Sequence, residues 1–484
     1  MSANRNETPN WLKQRAFLTP DRLAIRYEGK NYSFLDLHQL VEKRARQLHQ
    51  IDIKRGDTVG LLMKNSLEMV INIHALMYLG AVNVLLNTRL TAEELLWQIN
   101  DANIKCVICD DELSVHFPGK KVMTLSELKL CDEKEAALDD SFILDDVATI
   151  MYTSGTTGKP KGVQQTFGNH WWSAIGSVLN LGLKDGDCWL LAVPLFHISG
   201  LSILMRSVIY GIGIVLHSSF SAKEANRAIK NEGVTIASVV TAMLNDMLQE
   251  LGSDTYPKSF RCMLLGGGPA PRPILEQCRE KEIPVFQTYG MTETCSQIAT
   301  LAPEFCFSKL GSAGKPLFPA QIRIVADGRA CSPNEEGEIV VKGPNVTPGY
   351  LHRPDATNEA IRDGWFYTGD LGYLDEEGFL YVLDRRSDLI VSGGENIYPA
   401  EVEAVILSHP SVKDVGVVGK ENKKWGKVPH AFVVRSEEVS EEELRQFCLK
   451  KLAKYKVPKG FTFVESLPRN ASKKLLRRKL KEWL

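Results

Sequence analysis

Long apolar runs are missing from this 484-residue sequence. None approaches the roughly 18 residues that a membrane-crossing helix requires, and the first stretch, "MSANRNETPNWLKQ", is too polar for the apolar core of a secretory leader. An excess of one charge is missing too. Fifty-eight Lys and Arg stand against 59 Asp and Glu, a formal net charge of −1, so no global field draws nucleic acid or anionic lipid and any charge-driven function has to be local. Organised cysteine is also lacking. Of ten cysteines only Cys106 and Cys109 stand close, in "IKCVICDD", where a buried strand accounts for both; a zinc site would need a second pair, and C-x-x-C does not recur. There is no repeat, low-complexity segment or long linker. These absences predict a protein of the reducing cytoplasm with free thiols, no membrane insertion and no nucleic-acid partner, and they leave a homo-oligomer open.

With 44% hydrophobic and 24% charged residues, the chain has material for several cores. From Asp57 to Asp110 short apolar runs alternate with amphipathic ones: "DTVGLLM", "SLEMVINIHALMYLG", "AVNVLL", "TAEELLWQIND", "KCVICD". This reads as strand, helix, strand, helix, strand, with Thr91 and Glu94 as a capping box, and right-handed crossovers then imply a parallel sheet. The texture returns in "RCMLLGGGPAPRPILEQCREKEIPVFQTYG", with a glycine turn after the first strand and prolines near the helix start. Two similar α/β layers are therefore predicted before residue 320. From Gln321 to Asp384 short β runs separated by turns predict a β-rich subdomain. After "LDRRSD" two strands and a helix capped by Ser440 and Glu443 predict a small α+β unit. The expected organisation is a large domain over 1–384 and a small one over 385–484.

"YTSGTTGKPKGV", Tyr152 to Val163, packs glycines, hydroxyls and two lysines behind the apolar run "VATIM". Glycines let backbone N–H groups turn toward an anion, hydroxyls donate further hydrogen bonds, and lysines add charge, so the loop suits phosphate. It is not a Walker loop, because Pro160 follows Lys159 where a Ser or Thr would meet magnesium.

This string resembles the phosphate loop of the adenylate-forming superfamily, which includes acyl-CoA synthetases, aryl-CoA ligases, peptide-synthetase adenylation domains and luciferases. The resemblance continues in order through "PLFHISG" (194–200), "LLGGGPAP" (264–271), "YGMTET" (289–294), "YTGDLG" (367–372), "DRRSDLIVSGGENIYPAEVE" (384–403) and "LPRNASKK" (467–474), and so covers essentially the whole chain. It implies a large N-terminal domain and a small, mobile C-terminal domain. It also implies a two-step reaction with ATP, Mg2+ and coenzyme A: a carboxylate attacks the α-phosphate of ATP, and a thiol then displaces AMP.

The family pattern assigns roles to residues here. Thr153, Ser154, Gly155, Thr156, Thr157 and Lys161 would hold the β- and γ-phosphates, Thr292 the α-phosphate, and Glu293 the magnesium, which needs only one carboxylate beside phosphate oxygens and waters. Gly266, Gly267, Gly268, Tyr289 and Gly290 would wall the adenine, with Asp370 and Arg385 on the ribose. Gly393, Gly394 and Trp425 would meet coenzyme A, and Ser387, where most members carry Asp or Lys, would be the hinge. His197 would stand where the acyl pocket meets the thiol tunnel. No aspartate for a substrate ammonium occurs in "VPLFHISGLS", which argues against an amino-acid substrate, and no carrier-protein segment is recognisable. Within the superfamily, "GVQQTFGNHWWSAIGS", "YGMTETCSQIATLAPEF" and "KLGSAGKPL" look similar to the o-succinylbenzoate:CoA ligases of menaquinone synthesis. The resemblance implies an aromatic carboxylate carrying a second carboxyl group, with Gln165, Asn169, His170, Arg206 and Ser312 as candidate contacts. A fatty-acid or benzoate CoA ligase is the alternative within the family, and a catalytically silent nucleotide-binding homologue the alternative outside enzymes.

The closing run has six basic residues and one acid in its last twelve positions, and alone would read as a solvated helix face. Aligned from "LPR", it resembles the family's terminal motif, whose lysine reaches back to the active site at Lys474. Lys474→Ala is expected to lose on the order of 10²–10³ in adenylation rate. It should keep thioester formation from a supplied adenylate, with Lys473→Ala near wild type; separate rates of diphosphate release and thioester formation check this, and the reverse result moves the role by one residue.

Overall fold

The structure, a computed structural model, describes residues 6–153, 160–268, 270–385, 388–392, 395–422, 425–452, 454–469 and 475–484. Ser154, Gly155, Thr156, Thr157, Ser387, Gly393, Gly394, Lys473 and Lys474 lie outside the described residues, and of Arg385 only the backbone is described.

The alternation between Asp57 and Asp110 folds as anticipated. Strands Thr58–Leu62, Val82–Leu85 and Cys106–Cys109 are parallel neighbours, joined by helices Leu67–Tyr78 and Ala92–Asp101. Thr91 and Glu94 close the capping box reciprocally, each satisfying a backbone N–H of the other that the helix start leaves orphaned. Val147–Thr153 extends this sheet in parallel, and Lys161–Thr166 returns beside it antiparallel, pairing Lys161 with Thr153. Thr153 and Lys161, which bound the phosphate-loop segment, are thus paired at one edge of a six-stranded sheet.

The second layer is a parallel run of Gly213–Leu216, Cys188–Leu191, Ile236–Val240, Cys262–Gly266 and Val285–Met291. The β-rich segment after Gln321 has its own apolar cluster around Ile298, Ile324, Ile339, Phe366 and Leu380. It is not a separate sheet, however: Ser312–Pro316 pairs on one side with Ser296–Leu301 and on the other with Leu380–Arg385, so one ladder of 15 strands runs through both. Gly314 makes that crossing feasible. Its φ is +89°, and a Cβ there would stand 2.0 Å from the Thr300 carbonyl carbon.

The small C-terminal part has its own five-stranded sheet and its own core, centred on Ile397, Val402, Val417, Ala431 and Leu444. Its hairpin of Val412–Asn422 and Gly426–Arg435 and its helix Glu441–Leu449 match the sequence reading, with Ser440 accepting from the Glu443 N–H. Gly460–Phe463, which adds to the hairpin in parallel, was not foreseen. The terminal basic run is only partly the solvated face expected of it. Arg477 pairs with Glu403 at 2.6 Å and with Asp388 at 3.7 Å, Lys481 reaches Asp388 at 3.6 Å, and Leu480 is buried. All ten cysteines are free thiols, and no described helix is long and apolar enough to cross a membrane.

One buried ion pair ties the starts of the second layer's strands. The Arg261 guanidinium donates to both Asp187 carboxylate oxygens at 2.8 and 2.6 Å, and Thr235 Oγ1 donates to the same group at 2.8 Å. Burial alone would raise the Asp187 pKa, but the Arg261 and Thr235 hydrogen bonds bring it below the usual carboxylate range. Asp187→Ala is expected to cost about 3–5 kcal/mol at neutral pH by leaving Arg261 unpaired. Because the folded pKa is depressed, the difference from wild type should be full above the ordinary carboxylate pKa and vanish as pH falls through the folded value. Denaturant unfolding as a function of pH measures it.

Candidate active site

Four of the assigned segments leave the carboxyl ends of parallel strands, where open α/β sheets bind ligands. Val147–Thr153 delivers the phosphate-loop segment, Cys188–Leu191 the "PLFHISG" segment, Cys262–Gly266 the glycine turn, and Val285–Met291 the Thr292–Thr294 turn. Gly267 and Gly268 have φ of +86° and +155°. They carry the chain away from the strand end, and both are exposed.

Thr292 and Glu293 sit on a single 3₁₀ turn that ends in Cys295 with φ of +51°. So short a turn cannot satisfy its own backbone, and its carbonyls are taken by other segments. Gln165 Nε2 donates to the Thr292 carbonyl at 2.9 Å, the Thr347 N–H to that of Glu293 at 2.7 Å, Asn345 Nδ2 to that of Thr294 at 2.9 Å, and Ser173 Oγ to that of Cys295 at 2.5 Å. The Glu293 carboxylate accepts from the Tyr350 hydroxyl at 3.1 Å, and the Lys161 ammonium lies 4.9 Å from the centre of the Tyr350 ring. One carboxylate, with Tyr350 between it and Lys161, fits magnesium held mostly by phosphate oxygens and water. Among the described residues no group of three or more His, Cys, Asp or Glu forms a self-sufficient metal cage.

Tyr289 and Asp370, placed by sequence on the base and the ribose, come together: the Tyr289 hydroxyl donates to the largely buried Asp370 carboxylate at 2.7 Å. Strand pairing sets Asp370 opposite Arg385. Gly290 lies at the adjoining bulge, where a Cβ would fall 1.9 Å from the Ser296 carbonyl oxygen. Trp425 is exposed on the turn of the small domain's hairpin.

Four of the five candidate acyl contacts have their polar atoms engaged within the fold. Gln165 is fully buried, accepting from Thr149 and donating to the Thr292 carbonyl, so it supports that turn. Asn169 gives both amide protons to the Pro344 and Val346 carbonyls and accepts from the Thr166 N–H as a helix cap. His170 is enclosed between Thr149 and Cys295, and desolvation pushes its pKa down to about 3. Ser312 donates to the Leu380 carbonyl and accepts from the Gly314 N–H. Arg206 is different. It is 1% exposed, its described polar partners are the hydroxyls of Ser296, at 3.3 Å, and Tyr210, its carbon lies 5.3 Å from the Trp189 ring centre, and its Nε has no partner. No carboxylate pairs with it among the described residues. His197, the N-cap residue of the same helix Ile198–Tyr210, has a buried Nε2 without a hydrogen-bond partner, and desolvation first, then Arg89, lowers its pKa to about 4. The loop before it is held by Asn65, which accepts from the Leu195 N–H and donates to the Val193 carbonyl.

Sequence reasoning missed Ser173, Asn345, Thr347, Tyr350 and Asn65. The turn-forming string "GPNVTPGY" marks 343–350 as irregular backbone, but nothing local says which distant carbonyls it will meet.

Comparison with known proteins agrees with this arrangement. The family model for AMP-binding enzymes matches residues 12–351, and that for the AMP-binding enzyme C-terminal domain matches residues 401–474. A 2-succinylbenzoate--CoA ligase of Geobacillus sp. (strain WCH70) is 62% identical over 478 residues, covering 98% of this chain and 97% of the relative. The o-succinylbenzoate CoA synthetase (MenE) from Bacillus subtilis, in complex with the acyl-adenylate intermediate OSB-AMP, superimposes with a TM-score of 0.94 at 54% identity over 98% of each chain. The same synthetase in complex with ATP and a magnesium ion gives 0.93 at 53%, over 98% of this chain and all of that one. Both parts of the chain, and the order of the segments around its strand ends, thus place it in the AMP-binding enzyme family, to which it belongs.

Proposed function

We propose that this chain activates 2-succinylbenzoate with ATP, forming the acyl adenylate and diphosphate, and then passes the acyl group to coenzyme A with release of AMP, as a step of menaquinone biosynthesis. Whole-chain identity of 62% to a ligase of that name supports the reaction. The observation that carries the substrate is Arg206. A buried guanidinium without a carboxylate is a large desolvation debt, and a ligand whose second carboxyl group reaches it would settle that debt on binding. A fatty acid or benzoate has no such group.

The chain's own residues divide the work. Lys161 and the hydroxyls of Thr153, Ser154, Thr156 and Thr157, with the Gly155 backbone, take the β- and γ-phosphates, while Thr292 meets the α-phosphate. Gly266, Gly267, Gly268, Tyr289 and Gly290 line the base, and Asp370 with Arg385 takes the ribose hydroxyls. Glu293 would hold Mg2+, which when bound neutralises charge on the phosphate oxygens. Lys474 neutralises the attacking carboxylate and the α-phosphate. His197, uncharged at neutral pH, orients the acyl group without competing for its carboxylates. Rotation about Ser387, between domains 1–384 and 385–484, brings Gly393, Gly394 and Trp425 to coenzyme A for the second step.

Incubation with ATP, Mg2+, coenzyme A and a panel of carboxylates is expected to give AMP and thioester in equal amounts from 2-succinylbenzoate. Turnover of benzoate or a medium-chain fatty acid but not of 2-succinylbenzoate would transfer the substrate to the alternative. Arg206→Leu should raise KM for 2-succinylbenzoate on the order of 10²-fold, with residual benzoate turnover little changed. The His197 ring, whose neutral form burial favours, should show no protonation by NMR from pH 8 down to about 5; a midpoint near the ordinary ~6.5 would contradict its enclosure.

A further inference from the structure

Residues 345–351 cross between two parts of the site. Thr347 Oγ1 donates to the Gln164 carbonyl at 2.6 Å, the Gln164 N–H to the Gly349 carbonyl at 3.1 Å, and the Leu351 N–H to the Gly162 carbonyl at 2.8 Å. This stitches the segment along the strand that leaves the phosphate loop. Its other side holds the Thr292–Thr294 turn, through Asn345 and the Thr347 N–H. Tyr350 lies at the junction and touches both charges: its hydroxyl donates to Glu293 Oε1 at 3.1 Å, and its ring face takes the Lys161 ammonium at 4.9 Å.

We propose that Tyr350 is a positioning residue for the metal–nucleotide complex, orienting the Glu293 carboxylate toward the cation while its ring steadies Lys161 at the phosphates. A glutamate has three side-chain torsions to fix, and one charge-assisted hydrogen bond from a rigid phenol removes most of that freedom before the cation arrives. The ring attracts the ammonium through its negative face, which anchors the cation without a counter-anion that would repel phosphate. One residue thereby sets the spacing between the positive and the negative group that bracket the triphosphate. The inference rests on Glu293 and Lys161 having the roles proposed above.

Calorimetric titration of ATP into the full-length protein, once in EDTA and once in Mg2+, tests it without turnover. Wild type should bind more tightly in Mg2+, and Glu293→Gln should lose that gain. Tyr350→Phe, which keeps the ring, is expected to lose a large part of the gain, on the order of tenfold in affinity, while its affinity in EDTA stays at the wild-type value. Tyr350→Leu should weaken binding in EDTA as well. If Glu293→Gln loses the gain and Tyr350→Phe keeps it, the role of Tyr350 is overturned and that of Glu293 stands. Absence of any gain in wild type overturns both. Equal losses by Tyr350→Phe in EDTA and Mg2+ would reduce Tyr350 to packing.

Discussion

Four consecutive backbone carbonyls, from Thr292 to Cys295, accept hydrogen bonds from Gln165, the Thr347 backbone, Asn345 and Ser173. The turn they belong to is one 3₁₀ turn long and has no ladder of its own. It nevertheless carries Thr292 and Glu293, the side chains proposed to meet the α-phosphate and the magnesium, so its orientation has to be supplied from outside. Two of the donors lie on the hairpin strand and helix that follow the phosphate loop, and two lie on the segment before Tyr350. The two α/β layers are therefore joined at the proposed nucleotide site. Preorganised dipoles of this kind cost nothing to reorient during reaction, which is where most electrostatic catalysis comes from.

The same logic applies to the polar side chains near the site whose hydrogen-bonding atoms the fold itself engages. Gln165, Asn169, His170 and Ser312 are buried, and a buried polar atom without a partner costs more than a hydrogen bond returns. Asn169 and Ser312 use theirs on backbone, Gln165 divides its amide between the Thr149 hydroxyl and the Thr292 carbonyl, and His170 meets the Thr149 hydroxyl and the Cys295 thiol. Arg206 and His197 stand apart because each keeps a buried nitrogen unpartnered in the fold, Nε of the one and Nε2 of the other. Such atoms are expensive in a free protein and informative for that reason.

Much of the fold could be read from residue pattern. Periodicity and capping placed the Asp57–Asp110 alternation, the Cys262 to Met291 unit and the small domain's hairpin, because each is built from neighbours in sequence. The continuity of the 15-strand ladder could not be read, since it depends on Ser312–Pro316 pairing with strands distant on both sides. The site divides similarly. Motif residues whose chemistry is carried by type, such as Glu293, Asp370 and Lys161, were legible. Proximity to a motif does not rank the candidate acyl contacts, because Asn169 and Arg206 look equally suitable on paper and differ in how many of their polar atoms the fold engages.

Arg477 has a mechanical consequence. Its guanidinium joins Glu403, on the first helix of the small domain, to Asp388, which directly follows the assigned pivot, and Lys481 reinforces the second contact. The last turn of the chain is thereby fastened to the first residues of the same domain. Those ion pairs leave the terminal helix no freedom to wander independently of the domain that contains it. Leu480 shares a buried cluster with Val418 and Phe432, and the Trp483 ring meets that of Phe432, so the terminal helix and the hairpin that carries Trp425 form one body, like a strap buckled at both ends.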